Sequence, residues 1–213
     1  MNKLKFLGLV SIASCILSAC VSFHKNEAEV VYTRPDISTQ VEKLIIFPAV
    51  NFEGQTTQDI RLIDLAINTN WVKLFGKDKA IPAGLAIEQI ANQIGKNSYM
   101  SFVKSLDDIS GMEQVLADEK VKKFIQLATD KLGTAGKSQF ALALVEGSEE
   151  SYNKGEPIKI HIGLFDIKTL TWKVITKTDS RKTKFGVFKT DYSGIVKDHF
   201  ETIKNNIENN ANN

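Results

Sequence analysis

Beyond residue 40, the spacing of apolar residues changes period three times. Lys43-Leu-Ile-Ile-Phe-Pro48 is a continuous apolar run closed by Pro, the pattern of a buried strand. From Thr57, the residues Ile60, Ile63, Ile67, Trp71 and Leu74 recur at helical spacing. They predict a helix to about Phe75, although Asn68-Thr69-Asn70 is poor helix material. Residues 76–79 read as a loop. Pro82 suits the first turn of a second helix, where its missing N–H costs nothing. Leu85, Ile87, Ile90, Ala91 and Ile94 form that helix's stripe, and Gly95 ends it. Ser98 to Leu106 is ambiguous, with helix as the reading. Ser110-Gly-Met-Glu113 has the form of a capping box, a Ser hydroxyl for a free N–H and a Glu reaching back. It opens a helix, or two joined near Asp118, with Met112, Val115, Leu116, Val121, Phe124, Ile125, Ala128 and Leu132 inward. Gly133 stops it.

The period then shortens to two. Residues 139–146 read as an apolar strand and residues 148–157 as a polar hairpin loop. Ile158, Ile160, Ile162 and Leu164 alternate with Lys159, His161 and Gly163, which predicts a half-buried strand. A turn at residues 166–169 leads to a partner strand with Trp172, Val174 and Thr176 in one phase. That phase places the Trp172 indole on the Ile158/Ile160/Ile162 side, under a helix. Residues 185–188 read as one more short strand. Val196, Phe200, Ile203 and Ile207 lie at i, i+4, i+7 and i+11 of a last helix, and residues 209–213 form a polar tail. The order of elements predicts an α+β fold in a single domain over residues 41–208. Its small mixed sheet has about four to five strands, mostly antiparallel, covered by helices on one face. Residues 20–40 read as a tether, in which Val30-Val31-Tyr32 has the character of a short edge strand.

The start of the chain follows a different logic. Met1 to Lys5 is a short positive segment, and Phe6 to Leu17 is an apolar run. That run fits an export signal and falls short of the roughly 20 apolar residues needed to span a bilayer. Leu17-Ser18-Ala19-Cys20 resembles a bacterial lipobox. The resemblance implies a diacylglyceryl group on the Cys20 sulfur, cleavage after residue 19 and acylation of the new amino group. Several acyl chains, at ~0.8 kcal/mol per buried methylene, hold such a protein on its membrane. Val21 follows the Cys where an Asp would suggest inner-membrane retention, so the location implied is the outer membrane.

Charge narrows the classes further. Loss of residues 1–19 removes Lys3 and Lys5, so 27 basic residues become 25 against 25 acidic ones. A neutral chain is not built to bind nucleic acid. Of the two cysteines, Cys15 lies in the export signal and Cys20 is the lipid site, so no internal disulfide is expected.

Candidate chemistry is sparse. Gly133-Thr-Ala-Gly136-Lys137-Ser138 lacks the first Gly of a phosphate loop and sits between helix and strand in the wrong order. Ser101-Phe-Val-Lys104 matches the Ser-x-x-Lys of penicillin-binding proteins, but so does Ser22-Phe-His-Lys25 in the tether, and no Lys-Thr-Gly accompanies either. His24, His161 and His199 show no metal-ligand spacing and read as surface residues. Asp107-Asp108, Asp118-Glu119 and Glu149-Glu150 read as solvated turns and helix starts. Arg181-Lys182-Thr183-Lys184 reads as a solvated edge, the alternative being a patch for anionic headgroups. No catalytic residue, cofactor or metal site is assigned, and Cys20 is the one site residue.

Two segments resemble a group of envelope proteins. Leu44-Ile-Ile-Phe-Pro-Ala-Val-Asn51 is similar to the opening strand of the curli-secretion lipoprotein, of the lipoprotein activators of penicillin-binding proteins and of the amino-terminal domain of the Tol-system propeller protein. Phe165-Asp-Ile-Lys-Thr-Leu-Thr-Trp172 resembles their Asp-x-x-Thr-Gly hairpin, with Leu170 where the turn Gly sits and the Trp two residues early. The resemblance implies a non-enzymatic protein that binds an envelope partner. The expectation is therefore a membrane-anchored binding or assembly module. An anchored periplasmic hydrolase and a small-ligand, lipid-type carrier are the alternatives.

Overall fold

The structure, a computed structural model, describes residues 28–34, 43–51, 58–82, 84–131, 138–147, 158–180 and 191–211. The expectations for the export signal, Cys20 and His24 lie outside these residues. So do those for residues 133–137, 148–157, 181–184 and 185–188.

Strands β1 (Glu29–Thr33), β2 (Lys43–Ile46), β3 (Val50–Asn51), β4 (Ala80–Pro82), β5 (Ser138–Glu146), β6 (Ile158–Asp166) and β7 (Thr171–Ser180) form one mixed sheet. Their order is β1-β7-β6-β5-β2-β4, with β3 also paired to β5. The architecture is the α+β one expected, but among the described residues the sheet has seven strands rather than four to five. The β1/β7, β7/β6 and β6/β5 pairs are antiparallel, whereas β5/β2, β2/β4 and β3/β5 are parallel. The edge strand expected at Val30–Tyr32 is β1, so the sheet begins inside the stretch read as a tether.

Helices α1 (Gln58–Phe75), α2 (Gly84–Ile94), α3 (Lys96–Lys104), α4 (Met112–Ala117), α5 (Glu119–Lys131) and α6 (Tyr192–Ala211) complete the unit. They cover both faces of the sheet, not one. On one side, α1 and α6 pack Ile63, Ile67, Trp71, Val196, Phe200 and Ile203 onto Leu44, Ile46, Ile160, Ile162 and Val174. On the other, α2 to α5 pack Ile87, Phe102, Val103 and Phe124 onto Ile45, Phe47, Phe140, Leu144, Phe165 and Trp172. Burial from both sides explains why residues 44–47 are apolar without alternation. It also overturns the half-buried reading of β6, whose residues from Ile160 to Phe165 are all buried.

Local details differ where a polar group found a better partner. Asn70 is buried and donates to Ala66 O at 3.0 Å and Ser193 O at 3.1 Å, so the weak helix former ties α1 to α6. Pro82 ends the edge strand β4 instead of opening a helix, a place where no ladder donor is required. The capping box is not formed. Asp108 accepts from Ser110 N–H at 3.1 Å and caps a 3-10 turn over Ile109–Gly111, which runs into α4. Asp118 separates α4 from α5, accepting from Lys120 N–H at 2.7 Å.

The largest departure is at Trp172. Leu164 pairs with Val174, but Phe165 pairs with Trp172, so Lys173 is an extra residue on β7. This bulge turns Trp172 to the side opposite Val174. The indole is buried beneath a helix as expected, but against α3, on the side of the sheet opposite Ile158, Ile160 and Ile162. It lies over Gly163, where a Cβ would meet Trp172 Cζ3 at 2.8 Å and Leu106 Cδ2 at 2.3 Å. Gly163→Ala is therefore expected to cost about 1–3 kcal/mol, because the ring edge has nowhere to retreat. Urea unfolding measures it, and an unchanged midpoint would mean that α3 moves away freely.

Candidate functional site

Strand direction brings several chain ends together. The C-terminal ends of β3, β5 and β7 and the N-terminal ends of β1 and β6 all lie at one end of the sheet. Glu146 is the last residue of β5, and His161 faces the α3 side from the start of β6. Leu106, buried in the core, pins the turn that ends α3 and leaves Asp107 at the same place.

The three side chains converge there. One ligand atom from each of Asp107, Glu146 and His161 lies within 4.8 Å of the other two. His161 Nε2 contacts Glu146 Oε1 directly and stands 3.9 Å from Asp107 Oδ1. Lys159 Nζ approaches Glu146 Oε2 at 3.5 Å. Burial pushes the His161 pKa below its usual value by more than the pull of Glu146 restores, with Lys177 acting in the same direction as burial. A carboxylate oxygen can only accept, so His161 donates Nε2–H to Glu146, while its Nδ1 has no partner among the described residues. Burial opposes ionisation of Glu146. Attraction to His161 and Lys159, with hydrogen bonds to His161 and Asp107, outweighs burial and keeps this carboxyl low.

The reading of the histidines as surface residues is corrected: His161 is 2% exposed and His199 is 0% exposed. Sequence spacing hid the cluster, because its members come from a turn and two strands far apart in the chain. Asp107 is exposed as expected of a turn residue, but it faces a buried imidazole rather than solvent alone.

A second polar group has a structural task. Asp64 on α1 accepts from Ala49 N–H, and Tyr99 on α3 donates to Pro48 O, so the two clamp the corner between β2 and β3. Burial raises the Asp64 pKa to about 6 against the lowering effect of the Ala49 bond, with Glu88 adding repulsion. Burial likewise pushes the Tyr99 phenol well above its usual range.

Ser101 and Lys104 are both exposed on α3. The segment 133–137 joins α5 to β5, so helix precedes strand and the order a phosphate loop needs is absent. At the opposite end of the sheet, an open groove of about 340 Å³ runs between α5 and the 167–170 turn, lined by Leu116, Lys122, Ile125, Gln126, Ile167 and Leu170. Leu170 takes φ +52°, the left-handed region that the turn Gly of similar hairpins supplies without strain. On the solvent face of α1, Leu62, Leu65 and Val72 form an exposed apolar line beside Arg61 and Lys73. No helix among the described residues is long and apolar enough to cross a membrane.

No family model matches this chain, and no curated protein does. Among solved structures it is similar to two crystal forms of the PelC dodecamer from Paraburkholderia phytofirmans, one of them a point variant. Both are 9% identical and cover 83% of this chain, with TM-scores of 0.41 and 0.39. The match spans 96% and 95% of the respective PelC chains.

Proposed function

We propose that this protein is a lipid-anchored module of the bacterial cell envelope that binds or assembles an envelope partner and catalyses no reaction. The observation that carries this reading is the export signal ending in Leu17-Ser18-Ala19-Cys20. Only nine positions separate Cys20 from Glu29, where the sheet begins. Even fully extended, such a segment reaches roughly 30 Å. An acylated Cys20 would therefore hold the domain close to the outer membrane. The exposed Val30 and Val31 on β1 and the apolar line on α1 are features that partner contacts use.

Replacing Cys20 by Ser is expected to leave an uncut precursor that takes up no fatty acid. Metabolic labelling with palmitate reads this directly, and undiminished labelling of the variant would refute the anchor. Cross-linking in intact cells tests the rest. Repeated recovery without any envelope protein attached would count against a binding module.

A further inference from the structure

We propose that Asp107, Glu146 and His161 form a binding site for a first-row divalent cation such as Zn2+. The argument begins with the convergence of the three side chains. One carboxylate oxygen each from Asp107 and Glu146 and a ring nitrogen of His161 lie within 4.8 Å of one another, and two carboxylates held that close repel unless a cation is shared between them. His161 adds a nitrogen ligand from a buried, fixed strand position, with Nε2 directed at both oxygens; the ion would take the place of the Nε2 proton, which binding releases or moves to Nδ1. An imidazole with two carboxylates is a donor set for Zn2+ and its neighbours, whereas Ca2+ and Mg2+ favour oxygen alone.

Two adjustments admit the ion: His161 Nε2 and Glu146 Oε1, now in direct contact, move apart, and Asp107 moves in. Ligand bonds of ~2.0–2.2 Å put neighbouring donors of a tetrahedral ion roughly 3.3–3.5 Å apart. Asp107 Oδ1 and His161 Nε2 are already 3.9 Å apart. The Asp107 side chain is 43% exposed on a turn, so it can close the remainder by turning inward. Its exposure also leaves the fourth position open to water or to a ligand atom from a partner. Two negative charges balance the ion. Lys159, at 43% side-chain exposure, is then released from Glu146 to solvent. Lys159 is thus a built-in competitor for the site, and that sets the proposal apart from a plain ion-pair network.

The test uses the full-length protein in detergent, stripped with chelator and titrated with zinc chloride in a calorimeter. One equivalent is expected to bind, with a rise in melting temperature, while calcium chloride gives neither. Asp107→Asn sits at an exposed position and should fold normally. It is expected to weaken zinc binding roughly tenfold or more, since even outer partners of a metal site are worth that much. Lys159→Gln is expected to tighten it. Absence of zinc binding by the wild type, or equal affinity in Asp107→Asn, overturns the site. Weaker binding in Lys159→Gln overturns the competition that the geometry implies.

Discussion

Truncation of Trp172 to Ala is expected to cost about 3–5 kcal/mol, a large part of a domain's net ~5–15 kcal/mol. The ring is 1% exposed. It stacks on Phe102 with centroids 5.9 Å apart and planes at 14°, and meets Phe165 edge-on at 5.4 Å. Beneath it lies Gly163, which offers no side chain to fill the space left behind. The cavity would be walled by strands on one side and α3 on the other, so collapse is limited. For a unit of this size the melting temperature should fall by roughly 10 °C. Trp172→Phe should cost far less, because the indole N–H has no hydrogen-bond partner to lose among the described residues. Thermal unfolding of both variants decides it. An Ala variant that melts like the wild type would show the ring to be dispensable to the core.

Acid should unfold this protein through His199. Thr176 Oγ1 donates to Ile162 O at 3.1 Å, so it accepts from His199 Nδ1–H at 2.7 Å. A proton on Nε2 would then be buried with no acceptor among the described residues. Burial, with a smaller contribution from His161, pushes the His199 pKa down to about 3. In the unfolded chain a His titrates near ~6.5. As pH falls below that value, the unfolded state takes up the proton first. Stability is therefore fully present above ~6.5 and lost progressively toward 3. Between pH 7 and pH 4 the loss from this residue is about 3 kcal/mol. Asp64 acts with the opposite sign: its folded pKa of about 6 exceeds the ordinary 3.8, so it lowers stability as pH rises through that window. His199→Gln keeps a neutral partner for Thr176 and leaves Asp64 in place, so the difference in pH slope between variant and wild type isolates the histidine. Urea unfolding at pH 7, 5 and 4 measures it. Parallel slopes would mean that His199 titrates normally.

Much of the fold is legible in the chain because helical stripes and apolar runs report burial on a single element. Ile60 to Leu74 and Val196 to Ile207 mark α1 and α6, and Asp166 marks the hairpin turn by accepting from Lys168 N–H at 2.9 Å. What depends on two elements at once is not legible. Alternation along β7 predicts a single phase for Trp172, Val174 and Thr176, but the extra residue at Lys173 shows only in the pairing with β6. The charged and polar positions of β6 suggest solvent on one side, whereas α3 and the Asp107 turn cover it and satisfy His161 with carboxylates. The candidate site was lost for the same reason. Its three members are contributed by strand register and a helix end, and no local spacing records that.

The place of β1 in the sheet also sets an order of events. Its strand partner is β7, beginning with Glu29 opposite Lys177. The other contacts of this segment come from equally late in the chain. Thr33 donates to Asn206, Thr202 donates to Ala28 O, and Arg34 reaches Thr169 and Thr171. Under the proposed export, the chain would carry β1 across the membrane long before β7 exists for it to pair with, and closing so long a loop is slow. The proposed lipid site lies nine positions before Glu29, so a β1 not yet paired would leave it within reach of enzymes working at the bilayer surface. On that proposal the lipid would be attached and the leader cut while the leash is long, and the arrival of β7 and α6 would then shorten it.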